Sequence, residues 1–198
     1  MEFVQSAALG VIASNSLSPF PAFADADSDK IFVRIKKDGK LPFAYKFVLP
    51  ASPSPTNKPL QTHLDEVNLP ITNKIPEGRE SPLKSYTYGV TVDPIRIQSL
   101  RQFGTPNEVA AKIVMAELRR DGVLDVTMGR DPTEDSVTGG YDVEYISDGT
   151  RGKKHFVTRT IVDDGKLYVL TAQCKEDDWK YVEDEVWASV ATFQVLKE

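Results

Sequence analysis

The order of apolar and polar positions divides the chain into short β-rich runs, one well-specified helix and a closing helical stripe. Ile31-Phe32-Val33-Arg34-Ile35 and Phe43-Ala44-Tyr45-Lys46-Phe47-Val48-Leu49 are β-rich runs joined through Lys37-Asp38-Gly39-Lys40. Asp-Gly is the favoured pair for a type I′ hairpin turn, in which both central residues take positive φ. Residues 50–59 hold four prolines among serines and an alanine, which predicts an irregular loop. Residues 62–69 and 85–92 are further strand candidates across a Pro-, Gly- and charge-rich connection.

Thr105-Pro106-Asn107-Glu108 then has the form of a capping box, with proline at the first helical position where its missing N–H costs nothing. Ala111, Val114, Met115 and Leu118 follow at i, i+3, i+4 and i+7, an apolar stripe that predicts a helix lying on a sheet with Met115 as core filling. Arg119 and Arg120 suit the negative end of the helix dipole, and Gly122 is the expected stop.

Four strand candidates come next, at 123–128, 140–146, 156–162 and 167–173, with turn-rich connections and an Asp164-Gly165 hairpin before the last. Hairpin connections imply an antiparallel sheet. In the last run Tyr168, Leu170, Ala172 and Cys174 share one face, and Leu167, Val169, Thr171 and Gln173 share the other. Both faces are apolar enough that cover on both sides is expected. Trp179, Val182, Val186 and Val190, at i, i+3, i+7 and i+11, supply one cover as a C-terminal helix. The prediction is an α+β fold, an α-β-α sandwich around a central antiparallel sheet.

Composition narrows what such a fold can do. The chain has 198 residues, enough for a single well-filled domain, which is placed at 25–198. Its net charge of −5 argues against nucleic acid as a partner. One cysteine excludes an intramolecular disulfide framework, and His63 and His155 are the only histidines, so a His-rich zinc site is excluded. There is no phosphate loop, G-x-S-x-G or H-E-x-x-H. Cys174 shares a face with apolar side chains, where a thiol acts as a small hydrophobe rather than a nucleophile.

Residues 3–24 carry no charge, and Asp25 begins a strongly polar stretch. The run Ala7 to Ala13 is too short and interrupted to span a bilayer, but it fits the apolar core of an export signal. Ala22-Phe23-Ala24 fits a small-x-small cleavage pattern, so residues 1–24 are expected to be the remnant of an export signal. Met1-Glu2 offers no basic n-region, which points to a longer precursor or a misplaced start.

An ordered set of motifs resembles the PsbP family. Gly152-Lys153-Lys154-His155, a strand, Asp164-Gly165-Lys166-Leu167-Tyr168, Ala172-Gln173, Trp179 and the ending Thr192-Phe193-Gln194-Val195 follow that family's C-terminal order. Upstream, Val90-Thr91-Val92 and Phe103-Gly104-Thr105-Pro106-Asn107-Glu108 resemble its central strand and the start of its helix. The likeness covers roughly 85–198 well and 30–70 loosely. It implies the same α-β-α sandwich and a place in the thylakoid lumen of a chloroplast or cyanobacterium, peripheral to the membrane. It also implies non-enzymatic work as an extrinsic subunit or an assembly or repair factor of a photosynthetic membrane complex. Photosystem II is favoured, with photosystem I or an NDH-type complex as alternatives. The long N-terminal docking arm of the member that shields the oxygen-evolving manganese cluster is not recognisable, so a divergent PsbP-like protein is expected.

Some members of that family are associated with divalent metal through a histidine and an acid, positions that fall on His155 and Glu176. One imidazole and one carboxylate make at best a weak, water-filled site for Ca, Mn or Zn, and no cofactor is required. Arg151, Lys153 and Lys154 form a basic knob that reads either as a solvated loop or as a docking contact for acidic lumenal loops. The alternative is a small metal-handling protein or a thiol-dependent enzyme of the lumen, using His155 with Glu176 or Cys174.

Overall fold

The computed structural model describes residues 31–37, 41–53, 63–71, 80 and 86–197. The expected signal segment, the Asp38-Gly39 turn and most of the proline-rich loop lie outside them. In chain order the elements are β1 (Ile31–Lys36), β2 (Phe43–Val48), β3 (Asp65–Ile71), β4 (Tyr86–Pro94) and a 3-10 turn (Leu100–Gln102). They continue with α1 (Pro106–Leu118), β5 (Val123–Glu134), β6 (Tyr141–Gly149), β7 (Lys154–Asp163) and β8 (Lys166–Lys175). The closing elements are α2 (Glu176–Trp179), α3 (Glu183–Ala191) and β9 (Gln194–Val195).

All strand pairs are antiparallel. Six strands form the main sheet in the order β3-β4-β8-β7-β6-β5, and β1-β2-β9 form a second, smaller one. The smaller sheet is a feature that the hydrophobic pattern did not show, because β2 pairs with β9 across most of the chain (Tyr45 with Val195). The β7–β8 connection is the two-residue hairpin the sequence predicts, with Asp164 at φ 46° and Gly165 at φ 67°.

One face of the main sheet meets α3 and the inner face of β2. Tyr45, Phe47 and Phe193 meet there edge-on at 5.9–6.0 Å or tilted against Tyr88, and Val182, Val186 and Val190 of the closing segment join the same core. The opposite face, at β5 and β6, is covered by α1 through Val109, Ala110 and Ile113 against Tyr141, Val143 and Tyr145. Tyr168, Leu170, Ala172 and Cys174 of β8 are buried, and the alternate residues are half-buried, so the strand has cover on both sides.

Two expectations change. The capping box of α1 forms as predicted, with Thr105 N–H donating to Glu108 Oε2 at 2.7 Å and Glu108 N–H donating to Thr105 Oγ1. The helix, however, turns a different face inward. Met115 is 54 % exposed and Leu118 is exposed, so Met115 is not core filling. The helix carries two apolar stripes, and tertiary anchors choose between them: Glu117 accepts a hydrogen bond from Ser147 of β6 at 2.9 Å, which rotates the Val109–Ala110–Ile113 stripe onto the sheet.

The closing segment is also broken, not one helix. α2 ends at Trp179 with Lys180 as its C-cap, and Val182, at φ −128° and ψ −5°, starts α3 as its N-cap. Its valines remain in register for the core, and Trp179 is freed to lie flat on a strand residue.

Candidate functional site

The residues singled out for chemistry meet where β8 runs into α2. His155 of β7 stands between Ile146 of β6 and Cys174 of β8 in the sheet register. Its side chain is 3 % exposed, and the ring stacks on Trp179 with centroids 3.8 Å apart and planes 9° from parallel. Glu176, the first residue of α2, comes back to His155 Nδ1 at 2.7 Å. The structure therefore brings the predicted pair into direct contact.

It also adds a partner. Glu144 of β6 contacts His155 Nε2 at 2.9 Å and is paired on its other oxygen with Arg130 of β5. Arg130 donates onward to Glu183 of α3 at 2.9 Å, and its guanidinium lies 4.1 Å over the Trp187 ring. The result is a chain of alternating acidic and basic side chains, Glu176–His155–Glu144–Arg130–Glu183, running from α2 across three strands to α3. Beside it Arg159 grips Asp142 in a fork, at 2.7 and 2.6 Å, and donates to the Ala191 carbonyl at the end of α3. Such bidentate pairs are among the stronger charge-assisted hydrogen bonds.

This arrangement suits an ion pair better than a metal ligand. Both ring nitrogens of His155 already face a carboxylate oxygen at hydrogen-bond distance. A histidine that binds metal needs a bare nitrogen aimed at the ion. Among the described residues no group of three or more His, Cys, Asp or Glu is arranged to hold a metal ion.

Burial works against ionisation of Glu144, but the hydrogen bonds and charges of His155 and Arg130 outweigh it and hold its carboxyl below the ordinary glutamate value. A carboxyl depressed in the folded state contributes stability above its unfolded value, and that contribution disappears as pH falls through the folded one. Glu144→Gln is therefore expected to be less stable than the parent near neutral pH, with the gap closing on acidification. Urea midpoints measured across the acid range would show this, and a constant gap would refute it.

Cys174 is 5 % exposed, and its thiol is pushed up to about 12 by burial first, then by the charges of Asp178 and Glu176. A thiol of that kind is a poor nucleophile. It is expected to resist iodoacetamide in the native protein and to react stoichiometrically once denatured, as mass spectrometry would record. Arg151, Lys153 and Lys154 are all exposed around the β6–β7 turn, with Lys153 Nζ 3.4 Å from the Asp148 carboxylate.

Glu144, Arg130, Arg159 and Asp142 escaped sequence reasoning. In Tyr141-Asp142-Val143-Glu144-Tyr145 the acids alternate with apolar residues, which reads as a wet outer face. Here that face is covered by α2 and α3, and the acids are buried with cationic partners.

A two-sheet antiparallel core closed by helices and crossed by a buried ionic strip is the class of fold that the chain defines. Comparison makes the class specific. The PsbP family model matches residues 44–195, and the chain belongs to that family. It is 39% identical over 92 residues to PsbP domain-containing protein 2, chloroplastic, of Arabidopsis thaliana, covering 43% of this chain and 38% of that one. It is 27% identical over 139 residues to PsbP domain-containing protein 7, chloroplastic, of the same plant, covering 66% of this chain and 48% of the relative. The chain thus aligns with less than half the length of either curated relative. The solution structure of cyanobacterial PsbP (CyanoP) from Synechocystis sp. PCC 6803 superposes with a TM-score of 0.54 at 14% identity, covering 90% of this chain and 99% of that one. That likeness bears on the fold, which it shares. No helix among the described residues is long and apolar enough to cross a membrane.

Proposed function

We propose that this chain is a non-enzymatic accessory protein of the thylakoid lumen, peripheral to the membrane, that docks on the lumenal side of a photosynthetic membrane complex. Photosystem II is the first candidate, ahead of photosystem I and an NDH-type complex. The observation that carries this is the family match across the folded part of the chain, supported by relatives named as chloroplastic. The site geometry supports it independently: His155 is locked between two carboxylates, and Cys174 is a buried, unactivated thiol. The exposed knob of Arg151, Lys153 and Lys154 is a docking contact for acidic lumenal loops.

Native gels of thylakoids carrying a tagged copy test the proposal. The tagged protein should migrate with a membrane complex, wash off with salt or alkali, and lose retention when Arg151, Lys153 and Lys154 are all changed to glutamate. Migration as a free monomer under every condition would overturn it.

No metal is required in this role. Calorimetric titration with Mn²⁺, Zn²⁺ and Ca²⁺ should give the same heats for the parent and His155→Ala, and a binding isotherm lost in the variant would restore the metal assignment.

A further inference from the structure

β1 is an edge strand whose outer face is wholly aliphatic. It is paired only on its β2 side among the described residues, and its outward positions are Ile31, Val33 and Ile35, 41%, 47% and 54% exposed. Natural edge strands are blunted by charge on the exposed face, by proline or by bulges. β1 has a regular six-residue register with β2, no proline, and three aliphatic side chains in a row on its outer face. Its inner face is pinned: Phe32 packs against the Tyr45 and Phe47 rings, and Arg34 is held by Asp65 at 2.8 Å. The edge is therefore presented in a fixed conformation, which lowers the ordering cost of pairing with it.

Charge identifies what would pair. The chain is acidic, at −5, yet β1 carries Arg34 and Lys36, continues into Lys37, lies beside Lys46 of β2 and has no acid of its own. A second copy of β1 would add cations to this edge and leave Lys36 and Lys37 unanswered. A strand in which apolar and acidic residues alternate satisfies both faces. Its apolar side chains extend the Ile31–Val33–Ile35 row, and its acids reach Lys36 on the other face, where Arg34 is already engaged by Asp65.

We propose that the outer edge of β1 is a docking site for an extended acidic–apolar segment of a partner protein, which adds to the small sheet as a fourth strand. This surface is separate from the Arg151–Lys153–Lys154 knob, and the inference does not depend on which membrane complex the chain joins.

The test titrates the purified chain with acetyl-Val-Glu-Ile-Glu-Val-Glu-amide while backbone amide signals are followed by NMR. Shifts centred on Phe32–Lys36 are expected, and the Val-Lys-Ile-Lys-Val-Lys counterpart should give none. Alternate residues of a strand point their N–H groups to opposite edges. Of two acidic peptides N-methylated at odd or at even positions, one should bind and the other should fail. Val33→Glu and Lys36→Glu, both at exposed positions, should each weaken binding by roughly tenfold or more.

Shifts elsewhere, equal binding of both N-methylated peptides, or binding of the lysine peptide would overturn the proposal. So would co-sedimentation with phosphatidylglycerol vesicles that Val33→Glu abolishes while the acidic peptide leaves the amides unmoved, which would make this a lipid-binding face. Concentration-dependent dimerisation that protects the β1 amides without peptide would make it a self-association edge.

Discussion

Arg159→Met is expected to destabilise the fold by about 3–5 kcal/mol, the cost of leaving a buried carboxylate without its cation. Arg159 is 4 % and Asp142 7 % exposed, and the two are joined by a two-point fork. Burial alone would lower the affinity of Arg159 for its proton, but the hydrogen bonds and charge of Asp142 prevail and hold it firmly cationic. Methionine keeps much of the volume and removes both the charge and the donor to the Ala191 carbonyl. For a protein of this size the melting temperature should fall by roughly 6–20 °C.

The companion experiment pairs Arg159→Met with Asp142→Leu. The double variant should regain most of the loss, because a hydrophobic replacement of a whole buried ion pair is often neutral or better. A double variant as unstable as the single one would show that packing around Arg159, and not the stranded carboxylate, set the cost.

Phe193→Ala is expected to cost about 3–5 kcal/mol, the range for truncating a fully buried aromatic residue. Phe193 is fully buried and sits in the short connection between α3 and β9, edge-on to Tyr45 and Phe47. It is where the small sheet, the last helix and the main sheet touch. Loss there should therefore expose β2 to hydrogen exchange more than β7. Phe193→Leu, which keeps most of the apolar volume, should recover more than half of the loss in a denaturant titration. Equal exchange throughout would mean that the two sheets open together.

The parts of this fold that were legible in the sequence are those specified locally. Thr105-Pro106-Asn107-Glu108 states a helix start in four residues, and Asp164-Gly165 states a turn in two. The face of α1 was not legible, because the helix has two apolar stripes and the choice between them is made by Ser147 and the tyrosines of β6. The break at Val182 was hidden for a related reason: the spacing of Trp179, Val182, Val186 and Val190 suits an unbroken helix equally well. Pairing of β2 with β9 is non-local, and no short pattern encodes it.

In the candidate site, His155 and Glu176 were found through family resemblance. The acids that surround and neutralise the cations, Asp142 and Glu144, look like surface residues until α2 and α3 are laid over them.

The two tryptophans of the chain are both placed against the ionic strip: Trp179 is stacked on the His155 imidazole, and Trp187 lies under the Arg130 guanidinium. The aromatic core between the sheets is built instead from tyrosine and phenylalanine. Intrinsic emission excited at the red edge is thus an optical readout of the strip and of the core margin against which both rings also pack. A titration that loosens α2 and α3 from the sheet will register there before circular dichroism records any loss of strands, so a fluorescence midpoint and a dichroism midpoint taken on one sample measure two different events.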